Sequence, residues 1–506
     1  MTGPGNHTLG RWVSERARLT PDKVALDDRG VCLPYATLAL RIERFTAALR
    51  TAGHRPGDRV ATLTGNSADH VALLFACAEL GLALVPLSWR LTPHELAAQL
   101  TVADPVLTIS EPEHGRTLAS ALDRLPDPPP HVDFADLDAP LPRRDHRSPA
   151  QPERAASDDD ALLVLFTSGS TGTPKAAVLT QANCHWTNLV FGRTVPLTAD
   201  DVVLSVLPQF HAGGWNIQLL LGLWMGATVV LERAFDPRRA LHLIEQRRVT
   251  TMMGVPTHYL MMAEQRRFAA ADLSSLRTIV VGGAPMPLPL LRTWHARGVR
   301  LTQGYGLTEA GPNVLCLPAE LAFTRAGSAG VPYPHVECAV ADPDTGEELD
   351  GAATGELLVR GPSVFAGYLG DAEATARSLR GGWLHTGDLV HRDAEGFFQV
   401  LDRIDDLYIT SGENVSPVEV EQALLAHPAV AQAGVVGVPD ERRGEVGLAF
   451  VVRRPGVAVD EVALIEHCRE RLARFKVPAE VRFAEQLPQA SLEKVRRAAL
   501  RARVES

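Results

Sequence analysis

A loop rich in glycine and hydroxyl side chains offers the clearest chemistry in this sequence. Residues 163–180 read LVLFTSGSTGTPKAAVLT, so that a run of Thr, Ser and Gly closes with Pro174 and Lys175. Glycine lets backbone N–H groups converge on one point, and hydroxyls add donors that suit phosphate oxygens. The loop is not a Walker A motif, because Thr173 and Pro174 separate Gly172 from Lys175. On composition alone, a flexible surface loop is an equal alternative.

The apolar runs on either side would hold this loop at the end of a β-strand, where α/β sheets bind ligands. Residues 59–80 read as strand, turn and helix, and residues 227–232 and 277–285 read as short strands. Strands that alternate with helices predict parallel sheets. Residues 111–160, rich in Pro, Asp and Arg, are expected to form a surface excursion with little core.

Composition places the chain among ordinary globular proteins. It has 506 residues, of which 45% are hydrophobic and 22% charged. A net charge of -10 without a basic stripe argues against a nucleic-acid partner. The sequence shows no secretory signal and no apolar run that predicts a membrane span. Six cysteines without a CxxC pair favour a reduced cytoplasm over disulfides or a zinc site.

A domain boundary is predicted at Asp402, which divides the chain into residues 1–401 and residues 402–506. Residues 396–401 read as a strand, and a polar hinge follows it. The residues after the hinge are enough for a small α+β domain.

A helix is predicted soon after this hinge. Ser416 can cap it, Pro417 takes its first position, and Glu419 is expected to complete a capping box.

Four segments, in this order, closely resemble the signature motifs of the adenylate-forming superfamily of acyl-CoA synthetases, adenylation domains and luciferases. They read FTSGSTGTPKAAVLT, QGYGLTEAGP, GWLHTGDLV and DRIDDLYITSGENVSPVEVE. The resemblance covers nearly the whole chain and is closest to fatty and aryl acid CoA ligases. It implies an α/β fold with a large N-terminal domain of flanked β-sheets plus a β-barrel-like part, and a small mobile α+β C-terminal domain.

The resemblance also implies two half-reactions that use ATP, Mg²⁺ and CoA. A carboxylate attacks the α-phosphate of ATP to give an acyl-AMP and pyrophosphate, and a thiol, usually that of CoA, then attacks the activated carbonyl. The C-terminal domain would swing between two poses, one for each half-reaction. The expected partner is a small-molecule carboxylic acid, a carrier protein stays open, and the expected assembly is a monomer or homodimer.

Three groups of residues are implied to bind the nucleotide. They are a phosphate loop of Thr167, Ser168, Gly169, Ser170, Thr171, Gly172 and Lys175, an adenine pocket of Gly283, Ala284, Pro285, Gly304, Tyr305 and Gly306, and the ribose contacts Asp388 and Arg403. Tyr305 would offer its ring to adenine. Asp388 would accept hydrogen bonds from both ribose hydroxyls, as an ionised carboxylate can.

Four residues are implied to serve the chemistry, together with a hinge. Thr308 would bond a phosphate oxygen, and Glu309 would bind Mg²⁺, since a hard cation that bridges phosphates takes one or two carboxylates. Lys494 falls on the family's catalytic lysine, and Asp405 falls on its hinge. His211 would form a gate beside the acyl pocket, with a structural histidine as the alternative. A histidine cannot pair with an α-ammonium group, so an α-amino acid substrate is not expected.

The acyl pocket is implied to be lined by Gly213, Trp215, Asn216, Ile217, Gly306, Pro312 and Asn313. Gly213 and Gly306 would leave room for a flat ring or a chain. A plain alkyl chain would leave Asn216 and Asn313 unpaired, at a cost of about 1–3 kcal/mol each. The pocket therefore favours a substituted aryl or arylacrylic acid over a fatty acid.

The C-terminal tail departs from the family pattern of Pro-Arg-Thr-x-x-Gly-Lys. Here Glu493 replaces the glycine, and Ala490 replaces the threonine. Glu493 fits only where its φ is negative, and its carboxylate could pair with Lys494 and reduce the charge that the α-phosphate needs.

Three functions therefore remain open from the sequence. The first is an aryl or acyl acid:CoA ligase that acts through an acyl-AMP. The second keeps the adenylation but changes the acceptor or the anion, as in carrier-protein loading or nitrite activation for diazotisation of an aryl amine. The third is a non-catalytic binding protein on a ligase scaffold. The intact motif residues, above all Glu309, Asp388 and Lys494, argue against the third.

Lys494→Ala is expected to slow acyl-AMP formation about 10²–10³-fold and to leave thiolysis of supplied acyl-AMP nearly unchanged. Adenylation builds negative charge that a preorganised cation stabilises, whereas thiolysis uses the other domain pose. Single-turnover kinetics of each half-reaction would check this, and equal loss in both would contradict the assignment. Glu493→Gly should speed the first half-reaction if Glu493 restrains the lysine, and impair it if Glu493 serves a specialised reaction.

Overall fold

The chain folds as strands that alternate with helices. The computed structural model describes residues 7–143, 154–167, 175–410, 413–440, 443–472, 474–488 and 497–504. The strands within these ranges are β1 Val24–Asp28, β2 Val31–Pro34, β3 Arg59–Leu63, β4 Ala83–Leu87, β5 Leu107–Ser110, β6 His131–Asp133, β7 Ala161–Thr167, β8 Lys175–Thr180, β9 Val202–Ser205, β10 Thr228–Leu231, β11 Thr251–Gly254, β12 Thr278–Val281, β13 Leu301–Tyr305, β14 Leu315–Cys316, β15 Val331–Pro332, β16 Glu337–Ala341, β17 Glu348–Leu349, β18 Ala353–Arg360, β19 Gly367–Tyr368, β20 Leu379–Arg380, β21 Trp383–Arg392, β22 Phe398–Arg403, β23 Tyr408–Thr410, β24 Glu413–Val415, β25 Val430–Asp440, β26 Gly444–Arg453 and β27 Glu480–Phe483.

The helices pack on the faces of the sheets that these strands form. They are α1 Trp12–Leu19, α2 Tyr35–Thr51, α3 Ala68–Leu80, α4 Pro93–Ala103, α5 Gly115–Leu122, α6 Gln181–Thr194, α7 Ala212–Asn216, α8 Leu219–Met225, α9 Pro237–Gln246, α10 Pro256–Ala263, α11 Leu288–His295, α12 Ala372–Ser378, α13 Pro417–Leu425, α14 Glu461–Arg469 and α15 Arg497–Ala502. None of these helices is long and apolar enough to cross a membrane.

Two mixed sheets with parallel centres carry most of the N-terminal part. The first runs in the order β15-β14-β13-β12-β11-β9-β10-β1-β2, and the second in the order β19-β8-β7-β4-β3-β5-β6. Helix α3 is apolar on nearly all sides, as a helix enclosed by protein must be. Its side chains join a single core with side chains from both sheets. The strands predicted within residues 59–80, 227–232 and 277–285 correspond to β3, β10 and β12, which all lie in these sheets.

Two further sheets complete the fold. Strands β17-β16-β18-β21-β20, with β22 on β21, form an antiparallel sheet. Strands β23 to β27 form the last sheet, which packs against α13, α14 and α15. The third sheet ends with β22 at Arg403, and the fourth begins with β23 at Tyr408. The expected α/β class, with an antiparallel part and a small α+β unit at the end of the chain, is confirmed.

Part of the segment expected as a surface excursion contributes to the core instead. Within residues 111–160, α5 buries Leu118, and β6 pairs in parallel with β5 and buries Val132. Phe134 is buried as well. The expectation was wrong here because the density of Pro and Asp hides short apolar stretches. Residues 144–153 lie outside the described part of the chain.

The helix predicted after the hinge is α13, and its start differs in one detail. The Ser416 side chain accepts a hydrogen bond from the Glu419 backbone N–H at 3.2 Å, and Pro417 is the first helical residue. The Glu419 carboxylate does not complete a capping box, because it pairs with the Lys476 ammonium at 2.7 Å. A long-range ion pair has replaced the local hydrogen bond.

A buried charge cluster joins α15 to the predicted hinge. The Arg497 guanidinium contacts the carboxylates of Asp402 at 3.4 Å, Asp406 at 2.9 Å and Glu421 at 3.0 Å. Asp402 also accepts hydrogen bonds from the Ser416 hydroxyl at 2.6 Å and from a backbone N–H of α13. Burial raises the pKa of Glu421 to about 7; Arg497 opposes the shift, and the Asp402 charge adds to it.

Glu421→Gln is expected to make the stability of the chain less dependent on pH. The folded chain holds the Glu421 proton more tightly than the unfolded chain, whose Glu has the ordinary pKa of 4.5. The stabilisation is therefore complete below about pH 4.5 and is lost as pH rises through about 7. The unfolding temperature of Glu421→Gln should rise relative to the wild type between pH 5.5 and pH 8.

Glu419→Gln is the matched control, because Glu419 lies two residues away in a partly exposed ion pair with Lys476. The difference in unfolding temperature between Glu419→Gln and the wild type should stay nearly constant over the same pH range. A constant offset for Glu421→Gln would contradict the raised pKa.

Candidate active site

The predicted adenine pocket lies at the carboxyl ends of two neighbouring strands. β12 and β13 pair in parallel. The residues predicted for this pocket are Gly283, Ala284 and Pro285 after β12, Gly304 and Tyr305 at the end of β13, and Gly306 after it. Gly282 lets the two segments approach, since an added Cβ would lie 3.1 Å from the Gly304 carbonyl oxygen. Gly283 has a φ of +80°, which a side chain rarely allows.

Asp388 stands beside this wall with both carboxylate oxygens engaged. The Tyr305 hydroxyl donates to Oδ2 at 2.5 Å, and the Arg403 guanidinium donates to Oδ1 at 3.2 Å. Arg403 lies opposite Asp388 in the β21–β22 register and also donates to the Thr386 carbonyl. Burial, and then the Asp388 charge, raise the pKa of Tyr305 well above its ordinary value. Tyr305 therefore stays a donor, and each carboxylate oxygen keeps a lone pair for a ligand hydroxyl.

Glu309 lies four residues beyond Tyr305, in a short turn over Thr308–Ala310. Its Oε1 accepts hydrogen bonds from the Thr167 hydroxyl at 3.4 Å and from the Tyr368 hydroxyl at 2.9 Å. Thr167 ends β7, so the residue before the predicted phosphate loop contacts the residue predicted to bind the metal. Within the described chain Glu309 takes part in no ion pair, which leaves its negative charge free for a cation.

The two ends of the phosphate loop face one another across a strand pair. Thr167 lies opposite Lys175 in the β7–β8 register. The Lys175 ammonium sits 5.2 Å from the centre of the Tyr368 ring. Ser168, Gly169, Ser170, Thr171 and Gly172 lie outside the described residues, as do Ala490, Glu493 and Lys494. The Asp405 backbone lies in a short turn over Ile404–Asp406, and its side chain is not described.

His211 precedes α7 and packs against Phe210, with ring centres 4.6 Å apart. Gly213 in the first turn of α7 is half-buried, and an added Cβ would meet only the ends of the Leu207 and Ile217 side chains, at 3.3 Å. The structure places His211, Gly213 and Ile217 together. The space beside Gly213 is thus occupied by the ends of flexible side chains, and the expectation that Gly213 leaves room for the substrate stays a prediction.

Trp215 and Asn216 are fully buried with partners inside the protein. The Trp215 indole N–H donates to the Gln209 carbonyl at 2.5 Å. The Asn216 side chain accepts from the Asn188 amide at 3.2 Å. These contacts make both residues part of the core that supports α7.

Asn313 is satisfied in the same way. Its amide donates to the Thr187 carbonyl and hydroxyl, both at 3.2 Å, and to the Asn216 carbonyl at 3.1 Å. The expectation that Asn216 and Asn313 need a polar group on the substrate is therefore wrong. Both amides find their partners on α6 and α7, so an alkyl chain would not leave them unpaired. Pro312, beside Asn313, is only half-buried.

Gly306 is required by the backbone packing around it, which could not be predicted from the sequence. An added Cβ would lie 1.4 Å from the Pro312 carbonyl oxygen. The space beside Gly306 is therefore filled by backbone, and the expectation that it leaves room for the substrate is wrong. The segment from Gly306 to Pro312 closes on itself at this point.

Tyr368 is the site residue that reasoning from the sequence missed. It contacts both Glu309 and Lys175, although it lies far from both in the chain. Its segment, GELLVRGPSVFAGYL, resembles the family, yet no local pattern shows that the last tyrosine faces Glu309. The pairing of β19 with β8, together with a hydrogen bond from the Phe365 N–H to the Glu309 carbonyl at 2.9 Å, brings it there.

Comparison with known proteins decides the family. Residues 13–369 match the family model of the AMP-binding enzyme, and residues 419–494 match that of the AMP-binding enzyme C-terminal domain. The chain belongs to the AMP-binding enzyme family. The resemblance drawn from the motifs is thereby confirmed, and so is the expectation that the protein is an enzyme.

Relatives within the AMP-binding enzymes match from end to end. A feruloyl-CoA synthase from Amycolatopsis sp. is 41% identical over 98% of this chain and 99% of its own. An indoleacetate–CoA ligase from Aromatoleum aromaticum is 39% identical over 97% and 96%. The o-succinylbenzoate CoA synthetase structure from Bacillus subtilis, in complex with ATP and a magnesium ion, is 32% identical with a TM-score of 0.87 over 97% and 99%.

Gly306→Ala is expected to destabilise this AMP-binding enzyme by about 3 kcal/mol or more, at the upper end for overpacking, because no rotamer relieves a backbone overlap. Gly213→Ala is the matched control and should cost less than about 1.5 kcal/mol, since only flexible side chain ends must move. Thermal unfolding of both variants would measure the difference. Similar losses for the two variants would contradict the close approach at Gly306.

Proposed function

We propose that this enzyme activates an aryl carboxylic acid with ATP as an acyl-AMP and then transfers the acyl group to the thiol of CoA. The observation that carries the proposal is the placement of two carboxylates around one short segment. Tyr305 touches Asp388, and four residues later Glu309 meets Thr167 at the base of the phosphate loop. One nucleotide with its ribose at Asp388 and its phosphates toward Glu309 would span this arrangement.

ATP and Mg²⁺ suit the residues present. Asp388 has lone pairs left for ribose hydroxyls, and the Tyr305 ring lies beside it at the end of β13. Glu309 offers a carboxylate without an ion-pair partner in the described chain, next to the Thr167 hydroxyl. Such hard oxygen donors fit Mg²⁺. When bound, Mg²⁺ would supply positive charge to the phosphates as negative charge develops on them.

The remaining roles extend this proposal. Thr308 would bond a phosphate oxygen, and Arg403 would contact the ribose or a phosphate while it holds Asp388. Lys494 would stabilise the α-phosphate during adenylation. The chain would divide at Asp402 into two lobes that close on the nucleotide, with Asp405 at the hinge.

The relatives support an aryl acid. The printed names of the feruloyl-CoA synthase and the indoleacetate–CoA ligase both specify an acid with an aromatic ring. Leu207 and Ile217 surround Gly213 with apolar side chains, which suit a flat ring. A substituted aryl or arylacrylic acid is therefore the proposed substrate class, now supported by these apolar neighbours rather than by the asparagines.

Two alternatives keep the adenylation. A carrier-protein thiol could replace CoA, or nitrite could be the activated anion that diazotises an aryl amine. The CoA ligase names of the relatives favour CoA. The third reading, a non-catalytic protein on a ligase scaffold, is opposed by membership of an enzyme family and by the engaged Asp388 and Glu309 carboxylates.

Pyrophosphate release with a panel of aryl, arylacrylic and fatty acids, with and without CoA, tests the proposal. Aryl and arylacrylic acids should give release that depends on ATP and Mg²⁺, limited to about one turnover without CoA and continuous with it. Continuous release with nitrite and an aryl amine, or release only with a carrier protein, would replace CoA ligation by that alternative. No release with any acid would contradict the adenylation itself.

Glu309→Gln serves as the negative control in this assay. It keeps the side chain volume and removes the charge, so release should fall about 10²–10³-fold with the fold intact. Glu320→Gln, at an exposed position in the same region, should behave like the wild type. Wild-type turnover in Glu309→Gln would mean that another residue holds the metal.

A further inference from the structure

Tyr368 is held at a fixed position by its backbone. The pair Gly367–Tyr368 forms β19 against β8, with Tyr368 opposite Ala177. The Tyr368 N–H donates to the Thr375 hydroxyl at 2.9 Å. Gly367 has a φ of +131°, and an added Cβ would lie 2.7 Å from the Thr375 methyl, so only glycine lets the chain pass here. The tyrosine is anchored to the strand that leaves the phosphate loop.

The Tyr368 hydroxyl is directed at Glu309. It donates to Oε1 at 2.9 Å, and the Thr167 hydroxyl reaches the same oxygen at 3.4 Å. Two donors on one oxygen fix the plane of the carboxylate, and the hydrogen bonds recorded in the described chain leave Oε2 for another ligand. In this hydrogen bond the phenol hydroxyl is the donor and the carboxylate oxygen is the acceptor.

The ring of Tyr368 has a second neighbour, the Lys175 ammonium, 5.2 Å from its centre. A ring face attracts a cation at this distance. Lys175 and Glu309 form no ion pair in the described chain, although both contact Tyr368. The Tyr368 ring thus binds the Lys175 ammonium and leaves the charge of Glu309 without a counter-ion.

We propose that Tyr368 is a positioning residue for Mg²⁺, which orients the Glu309 carboxylate through its hydroxyl and keeps the Lys175 ammonium away from it through its ring. The inference rests on the proposed function, because it takes Glu309 as the residue that receives the metal. Partners that orient a metal ligand commonly change metal affinity 10–100-fold when they are removed. Tyr368 has this position toward Glu309 without itself being a ligand.

Tyr368→Phe tests the hydroxyl, since it keeps the ring for Lys175 and the backbone of β19. ATP binding to the full chain would be measured by calorimetry in EDTA and over a series of Mg²⁺ concentrations, without any acid. The Mg²⁺ concentration that gives half of the maximal increase in ATP affinity should rise about 10-fold. Affinity for ATP in EDTA should stay within about twofold, because the variant changes the orientation of a metal ligand and no contact with the nucleotide.

Tyr35→Phe is the matched control. Its buried hydroxyl donates to the carbonyls of Leu223 at 3.2 Å and Ala227 at 2.8 Å, away from the site. It should lower the unfolding temperature and leave the response to Mg²⁺ unchanged.

An unchanged Mg²⁺ response in Tyr368→Phe would overturn the inference. A loss of ATP affinity of equal size with and without Mg²⁺ would also overturn it, because it would show a structural role only. The assay contains no acid, so it decides the role of Tyr368 separately from the substrate. A wild type that binds ATP with Mg²⁺ but releases no pyrophosphate with any acid would contradict the proposed function alone.

Discussion

The proposed nucleotide site depends on two carboxylates that are held in fixed positions in a half-enclosed place. Each is held by a tyrosine hydroxyl, Tyr305 on Asp388 at 2.5 Å and Tyr368 on Glu309 at 2.9 Å. A hydroxyl donor satisfies a carboxylate without neutralising it, whereas an unpaired carboxylate in such a place would be costly. The two carboxylates have different charged neighbours. The Arg403 guanidinium pairs with Asp388, whereas Glu309 has no ion pair within the described chain. One end of the site suits neutral hydroxyls, and the other suits a cation.

The same stretch of chain connects this site to the C-terminal part. Asp402 and Arg403 are neighbours at the end of β22, and successive residues of a strand point to opposite faces. Arg403 contacts Asp388 in the site, while Asp402 contacts Ser416 and Arg497 in the C-terminal part. A rotation at this strand end would therefore disturb both sets of contacts together. This coupling gives the proposed hinge position a physical basis in two adjacent side chains with different partners.

The sequence predicted the features that depend on neighbouring residues in the chain. Strands at β3, β10 and β12 followed from apolar runs, and the start of α13 followed from Ser416 and Pro417. The partners of Glu419 and Tyr368 could not be predicted, because Lys476 and Glu309 come from distant segments. Strand β6 was missed as well, because its few apolar positions lie among Pro and Asp residues. So short a strand is recognised only from its pairing with β5.

The pocket shows the limit of reading chemistry from residue type. An asparagine next to a binding motif looks the same in sequence whether its amide faces a ligand or an internal carbonyl. The structure satisfies Asn313 through Thr187 and Asn216, so this polar network fixes α6 against α7 rather than selecting a substrate. Gly306 is required by the close approach of the Pro312 carbonyl. Gly213, in contrast, contacts only the flexible side chains of Leu207 and Ile217. Under the proposed function, selection among acids would then fall to shape and apolar contact around Gly213. Such contact discriminates by only about 1–3 kcal/mol per methylene, which predicts tolerance toward several aryl acids rather than strict recognition of one.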